Sequence, residues 1–189
     1  MAEAFPNNAK YTLPGLTPEQ GNRIATILQD RLWALNDLQL VLKHAHWNVV
    51  GRNFIGVHEM LDPQVDEVRA AVDDIAERIA ALGYSPDGRA SSLVQGRTWD
   101  DYSVGRAGAL EHLGALDLVY SGVIESHRKA IDEVGELDPV TEDMLISQTG
   151  GLEAFQWFVR AHLENDEGDL ATRGATSEND AAQRATGNG

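Results

Sequence analysis

Apolar residues recur at intervals of three and four in four separate runs, and that period commits the chain to packing long helices against one another. The first run, Ile24, Leu28, Leu32, Leu35, Leu38, Leu42 and Ala45, lies within a helix expected over about 17–48. Its start is written in "TPEQ": Thr17 is an N-cap, Pro18 takes the first helical position, and Gln20 completes the capping-box spacing. A second run, Ile55 to Leu82, stops at Gly83, a natural C-terminal cap. The third is expected from near Tyr102 to Glu136, and the fourth from Pro139 to Leu163. No segment alternates as a strand would.

The connections order these helices. "GRNF" is too short for anything but an antiparallel turn between the first two, and "ELDP" does the same for the last two. Residues 83–97, rich in Gly and Pro, form a crossover, with a short extra helical piece expected at "TWDDY". The fold class is therefore all-α, a ferritin-like four-helix bundle with one long crossover carrying a short extra helix. An extended arm is expected over 1–16, the bundle over 17–163, and a flexible polar tail over 164–189.

With no cysteine, a metal could be held only by imidazole, carboxylate or water, a donor set that suits iron, manganese or zinc. Thirty acids against fifteen bases give a net charge of −15, which draws cations and repels nucleic acid. No apolar run is long enough for a membrane span, and the first twenty residues lack the pattern of a secretory leader, so a cytoplasmic protein is expected.

The segment "HAHWNVVGRNFIGVHEMLD" concentrates three of the six histidines. No Glu in the chain has a His three residues on, so the Glu-x-x-His di-iron pattern of ordinary bundles is absent, and "HEMLD" puts Asp62 where a zinc protease needs its second His. The useful pairs are His58 with Asp62 and Asp73 with Glu77, each four apart on the second helix and so on one face. From His58 to Asp73 is about 22 Å along a helix rising 1.5 Å per residue, too far for one metal centre. Two copies packed antiparallel about a two-fold axis would bring the pairs together twice. The expected site is His46, His58 and Asp62 from one copy, with Asp73 and Glu77 from its partner. Asp74 is the alternative to Asp73, and the relation to Glu77 favours Asp73.

These residues also carry a resemblance. "KHAHWNVVGRNFIGVHEMLD" followed by "DDIAER" resembles the ferroxidase segment of the Dps family, the small ferritins of bacteria, and in particular its actinobacterial members. The likeness runs from about Thr12 to Leu163 and includes "RTWDDYSV" and "FQWFVRAHLE". It implies a homododecameric shell that oxidises Fe(II), mainly with hydrogen peroxide, and stores ferric mineral. Iron would be held one or two ions per site by His46, His58, Asp73 and Glu77, with Asp62 as accessory ligand. Glu59 and Asp62 match positions that nucleate mineral, and Trp47 matches an indole that takes up electron holes.

The remaining candidates have plainer readings. His44, His112, His127 and His162 are read as structural or exposed, Lys43 and Arg78 as salt-bridge partners, Asp100 and Asp101 as charges at a helix start, and Trp157 and Phe158 as packing residues. Family members often bind DNA through a basic terminus, so a DNA-condensing shell with secondary iron oxidation is the alternative function. It fits poorly: residues 164–189 carry Arg173 and Arg184 against Glu164, Asp166, Glu167, Asp169, Glu178 and Asp180. DNA is therefore expected to be a weak partner, with nucleoid association secondary.

Overall fold

The computed structural model describes residues 9–187. Most of the arm expected over 1–16 lies outside them. The described chain runs α1 (Pro18–Asn48), β1 (Val49–Val50), α2 (Phe54–Ala81), α3 (Ala90–Gly96), β2 (Ala107–Gly108), α4 (Ala109–Gly135), α5 (Pro139–Ala161) and α6 (Glu178–Ala185). Four long helices in this order, with α3 in the crossover between α2 and α4, give the all-α, ferritin-like bundle expected. Among the described residues, no helix is long and apolar enough to cross a membrane.

The helix limits follow local chemistry. The Thr17 amide donates to Gln20 Oε1 (2.8 Å) and the Gln20 amide to Thr17 Oγ1 (3.2 Å), the reciprocal bonds of a capping box. At the end of α2, Gly83 has φ +93°, with its amide bonded to Ala80 O and the Tyr84 amide to Ile79 O. That is a Schellman motif, and glycine alone meets its backbone conformation without strain.

Two compact units each contain a segment of all four long helices. One comprises the chain up to Asp37, Val68–Trp99 and Glu125–Thr149. It buries Ile24, Leu28 and Leu32 from α1, Ile75 and Ile79 from α2, Val134 from α4 and Leu145 from α5. Within it α3 lies close to α1: a Cβ at Gly96 would meet the Trp33 ring at 2.2 Å. The Trp33 indole donates to Asp87 O (2.8 Å), fixing the crossover's entry. The other unit comprises Leu38–Glu67, Asp100–Ile124 and the chain from Gly150. It buries Leu38, Leu42, Leu61, Leu113, Leu116 and Tyr120. Each such Leu contributes about 2 kcal/mol by leaving water.

Three expectations need correction. The short crossover helix is α3 at 90–96 rather than "TWDDY"; residues 98–100 are non-helical, and the Trp99 indole donates to Asp37 Oδ2 (2.5 Å). The third long helix begins at Ala109, so Asp100 and Asp101 precede it. Ahead of it the chain stays extended: β2 pairs in parallel with β1, Val49 opposite Ala107 and Val50 opposite Gly108, which is also the strand pairing the sequence did not announce. Glu111 Oε2 accepts from the Gly108 amide (2.7 Å) and starts α4 there.

The third correction concerns the tail. Instead of a flexible segment, residues 178–185 form α6, capped by Ser177 Oγ accepting from the Asp180 amide (3.2 Å), with Ala181 and Ala182 buried. Glu178 Oε2 accepts from the Ser103 amide (2.6 Å) and hydroxyl (2.9 Å). A Cβ on Gly114 would lie 2.6 Å from Ala181 O, so α6 sits directly on α4. Docking through alanines, a glycine and hydrogen bonds leaves no apolar stripe in the sequence.

At the start of α5, Asp138 accepts from Arg78, Thr141 and the Val140 amide. Burial pushes its carboxyl up, but the Thr141 and Arg78 hydrogen bonds outweigh this and hold it below the usual carboxylate range. A carboxyl so depressed stabilises the fold fully above its unfolded-chain value, and that contribution is lost as pH falls through the folded value. Asp138→Asn is expected to lower stability at neutral pH and to flatten the acid limb of a urea-midpoint profile below about pH 4.

Candidate metal site

His46 closes α1 and His58 lies in the first turns of α2, brought face to face by the tight turn through Gly51, whose φ is +95°. Their rings stack at 3.6 Å between centroids and 20° between planes. Each ring is bonded to the other residue's backbone, His46 Nδ1 to His58 O (2.8 Å) and His58 Nδ1 to His46 O (2.9 Å). A carbonyl oxygen only accepts, so both Nδ1 atoms carry the proton. In the neutral rings both Nε2 atoms then hold free lone pairs, the state a metal requires, and a backbone carbonyl is a usual orienting partner for a ligating histidine. His46 is buried, His58 half-buried, and Phe54 packs 4.9 Å from the His58 ring.

The carboxylates are placed differently. Asp62 is exposed, and its Oδ1 accepts from Lys43 Nζ at 2.6 Å. The Lys43 hydrogen bond holds its carboxyl below the usual range, with the Lys43 charge assisting against desolvation. Its approach to His46 is at Nδ1 (3.4 Å), the nitrogen already committed to a carbonyl. Glu59 is exposed on α2. Trp47 is 71 % exposed, with Lys43 Nζ 6.0 Å from its ring centroid.

Asp73, Asp74 and Glu77 are exposed on α2, in the other unit. Among the described residues, no three His, Asp or Glu side chains converge as a metal site. The chain thus brings His46 and His58 together and leaves Asp73 and Glu77 exposed.

The other histidines do structural work where their partners are known. His44 Nε2 bonds Val104 O (3.0 Å), and His112 is wholly buried against Tyr102. Lys43 and Arg78 are both salt-bridged, as expected, to Asp62 and Asp138. The reciprocal histidine–carbonyl bonds carry no sequence signal, because carbonyls are common to every residue.

The chain is similar to known proteins over most of its length. The family model of the ferritin-like domain matches residues 25–168. A DNA protection during starvation protein of Mycolicibacterium smegmatis is 55 % identical over 175 residues, 93 % of this chain and 96 % of that one. The chain belongs to the Dps family of ferritin-like proteins. Its backbone agrees: the Dps structure DpsA14 from Streptomyces coelicolor superposes with a TM-score of 0.85 at 60 % identity, covering 86 % of this chain and 97 % of that one. A relative named for a different role, the fine tangled pili major subunit of Haemophilus ducreyi, is also 55 % identical, over 86 % of each chain. Dps proteins are DNA-protecting mini-ferritins, and the metal of the ferritin-like family is iron.

Proposed function

We propose that the protein is a ferroxidase. It oxidises Fe(II), preferentially with hydrogen peroxide, at sites shared by two-fold related copies in a homododecameric shell, and stores the ferric product inside. The observation that carries this reading is the histidine pair with both Nδ1 protons fixed and both Nε2 atoms free, on which no third donor converges among the described residues. A half-site of this kind calls for carboxylates from elsewhere, and Asp73 and Glu77 are exposed and spaced to provide them.

In this scheme iron is substrate. His46 and His58 bind Fe(II) through Nε2, the partner copy's Asp73 and Glu77 neutralise its charge, and the few protein donors leave positions for the oxidant. Two Fe(II) give one electron each to one peroxide, which takes two protons and leaves as two waters, so this paired step releases no hydroxyl radical, whereas a lone Fe(II) would. Asp62 enters as an accessory ligand when Lys43 releases it, Glu59 and Asp62 receive ferric product, and Trp47 intercepts stray oxidising equivalents. The protein would protect DNA by consuming Fe(II) and peroxide together in the cytoplasm. Anaerobic Fe(II) oxidation with peroxide, followed by absorbance, tests the reading: oxidation should far outrun buffer. Iron that binds but oxidises no faster than in buffer would leave only an acidic storage shell.

Direct DNA binding is the second reading, favoured by the relatives' name. The tail argues against it, since Arg173 pairs with Asp169 and Arg184 with Asp180, each at 2.7 Å. Nonspecific binding needs several free phosphate-neutralising cations. A gel shift at about 150 mM salt should show free DNA, and firm retention there would restore the DNA-condensing reading.

A further inference from the structure

Four tyrosines occur in the chain, and their phenols differ in what they face. Tyr84 donates to Pro18 O (3.0 Å) and Tyr120 to the Gln64 amide oxygen (2.7 Å), groups that do not accept a proton at ordinary pH. Tyr11 is 71 % exposed. Tyr102 is hydrogen-bonded to a base: its hydroxyl lies 3.1 Å from His112 Nδ1, with the two rings stacked at 6.2 Å and 13°. His112 is wholly buried in α4, and Tyr102 packs against Val104, Ala115 and Ala182 beneath α6. On its other side the Tyr102 ring meets His44 edge-on at 5.8 Å, two residues before His46 on α1.

We propose that Tyr102 and His112 form a redox pair that stores an oxidising equivalent escaping the iron site, an inference that rests on the ferroxidase reading for its source of oxidant. The step balances. A one-electron oxidant such as hydroxyl radical, formed when peroxide meets a single Fe(II), takes an electron from the Tyr102 ring and becomes hydroxide. In the tautomer that carries its proton on Nε2, His112 Nδ1 accepts the Tyr102 hydrogen bond, and the phenolic proton passes along it, leaving a neutral tyrosyl radical beside an imidazolium. A further Fe(II) returns the electron, becoming Fe(III), and the proton moves back.

The surroundings suit each half of the exchange. Burial, with the nearby Glu178 carboxylate, pushes the Tyr102 phenol up, so the ring does not ionise alone and oxidation must hand its proton to a base. Burial pushes the His112 imidazole down, outweighing the hydrogen bond to the Asn48 backbone that favours the imidazolium, and so keeps it neutral and able to receive that proton. Packing of the half-buried Tyr102 ring beneath α6 keeps the radical from coupling with a second tyrosine.

The test is freeze-quench electron paramagnetic resonance on the assembled protein, in two arms. One adds peroxide to protein loaded anaerobically with Fe(II); the other uses a photogenerated ruthenium(III) tris-bipyridine oxidant without iron. Ring-deuterated tyrosine separates tyrosyl from tryptophanyl signals. The expected result is a tyrosyl signal in both arms that is lost in Tyr102→Phe and weakened in His112→Gln, with the Fe(II) oxidation rate of Tyr102→Phe unchanged. The same tyrosyl signal in Tyr102→Phe, or none in native protein in either arm, would overturn the proposal. A Tyr102-dependent signal in the photochemical arm from protein that does not oxidise iron would uphold the pair and refute the ferroxidase reading instead.

Discussion

Converting Asp73 to Asn and Glu77 to Gln together is expected to lower peroxide-driven Fe(II) oxidation by about 100-fold or more, since losing even partners that only orient metal ligands costs 10–100-fold. The double variant changes charge but hardly shape, and both side chains are exposed, so folding and shell size should persist by light scattering. Asp74 is equally exposed and provides the control: Asp74→Asn should oxidise iron at the native rate. A slow Asp74 variant beside a fast Asp73→Asn single variant would move the carboxylate role by one residue. Loss of two negative charges per chain also weakens cation attraction, but that effect is screened by salt, whereas a lost ligand is not.

The largest stability effect is expected at Asp117. This buried α4 carboxylate accepts from Gln156 Nε2 (2.9 Å), Arg160 Nε (2.7 Å) and Thr172 Oγ1 (2.7 Å), joining α4, α5 and the chain ahead of α6. Asp117→Ala removes the carboxylate from three donors: Gln156 keeps the Asp117 carbonyl and Ser121 Oγ, but the buried Thr172 hydroxyl and the Arg160 charge lose their partner, and the change should cost about 3 kcal/mol, the lower end for breaking a buried pair because Arg160 retains access to water. At fixed protein concentration that corresponds to a fall in Tm on the order of 10 °C. The residues after Leu163 should also become sensitive to protease, because Thr172 loses its anchor. An unchanged Tm with protected tail would show that Asp117 is dispensable.

Helices and their caps were legible because periodicity and capping are local: Thr17 and Gln20 meet as their spacing dictates, and Gly83 ends α2 through its own positive φ. What escaped the sequence depends on contacts far along the chain. The extended run at 102–107 is held by β1 and by Glu178, more than fifty and seventy residues away. Tail docking uses Ala181 and Ala182 against Gly114, residues whose smallness hides their burial. At the candidate site, His46 and His58 were legible from their place either side of a short turn. Their fixed tautomers were not, and neither was the seat of Asp62 against Lys43 at the Nδ1 edge of His46.

The central claim is that one copy's histidines work with another's carboxylates, and subunit complementation tests it most directly. A His46→Ala chain and an Asp73→Asn, Glu77→Gln chain, each inactive alone, would be coexpressed and purified as mixed shells by two different tags. In a mixed two-fold pair, one site combines both defects and the other is wholly native. Random pairing therefore restores about a quarter of the sites, and peroxide-driven Fe(II) oxidation should recover to about that share of the native rate. Mixed shells no more active than the sum of the two parents would contradict a site shared between subunits.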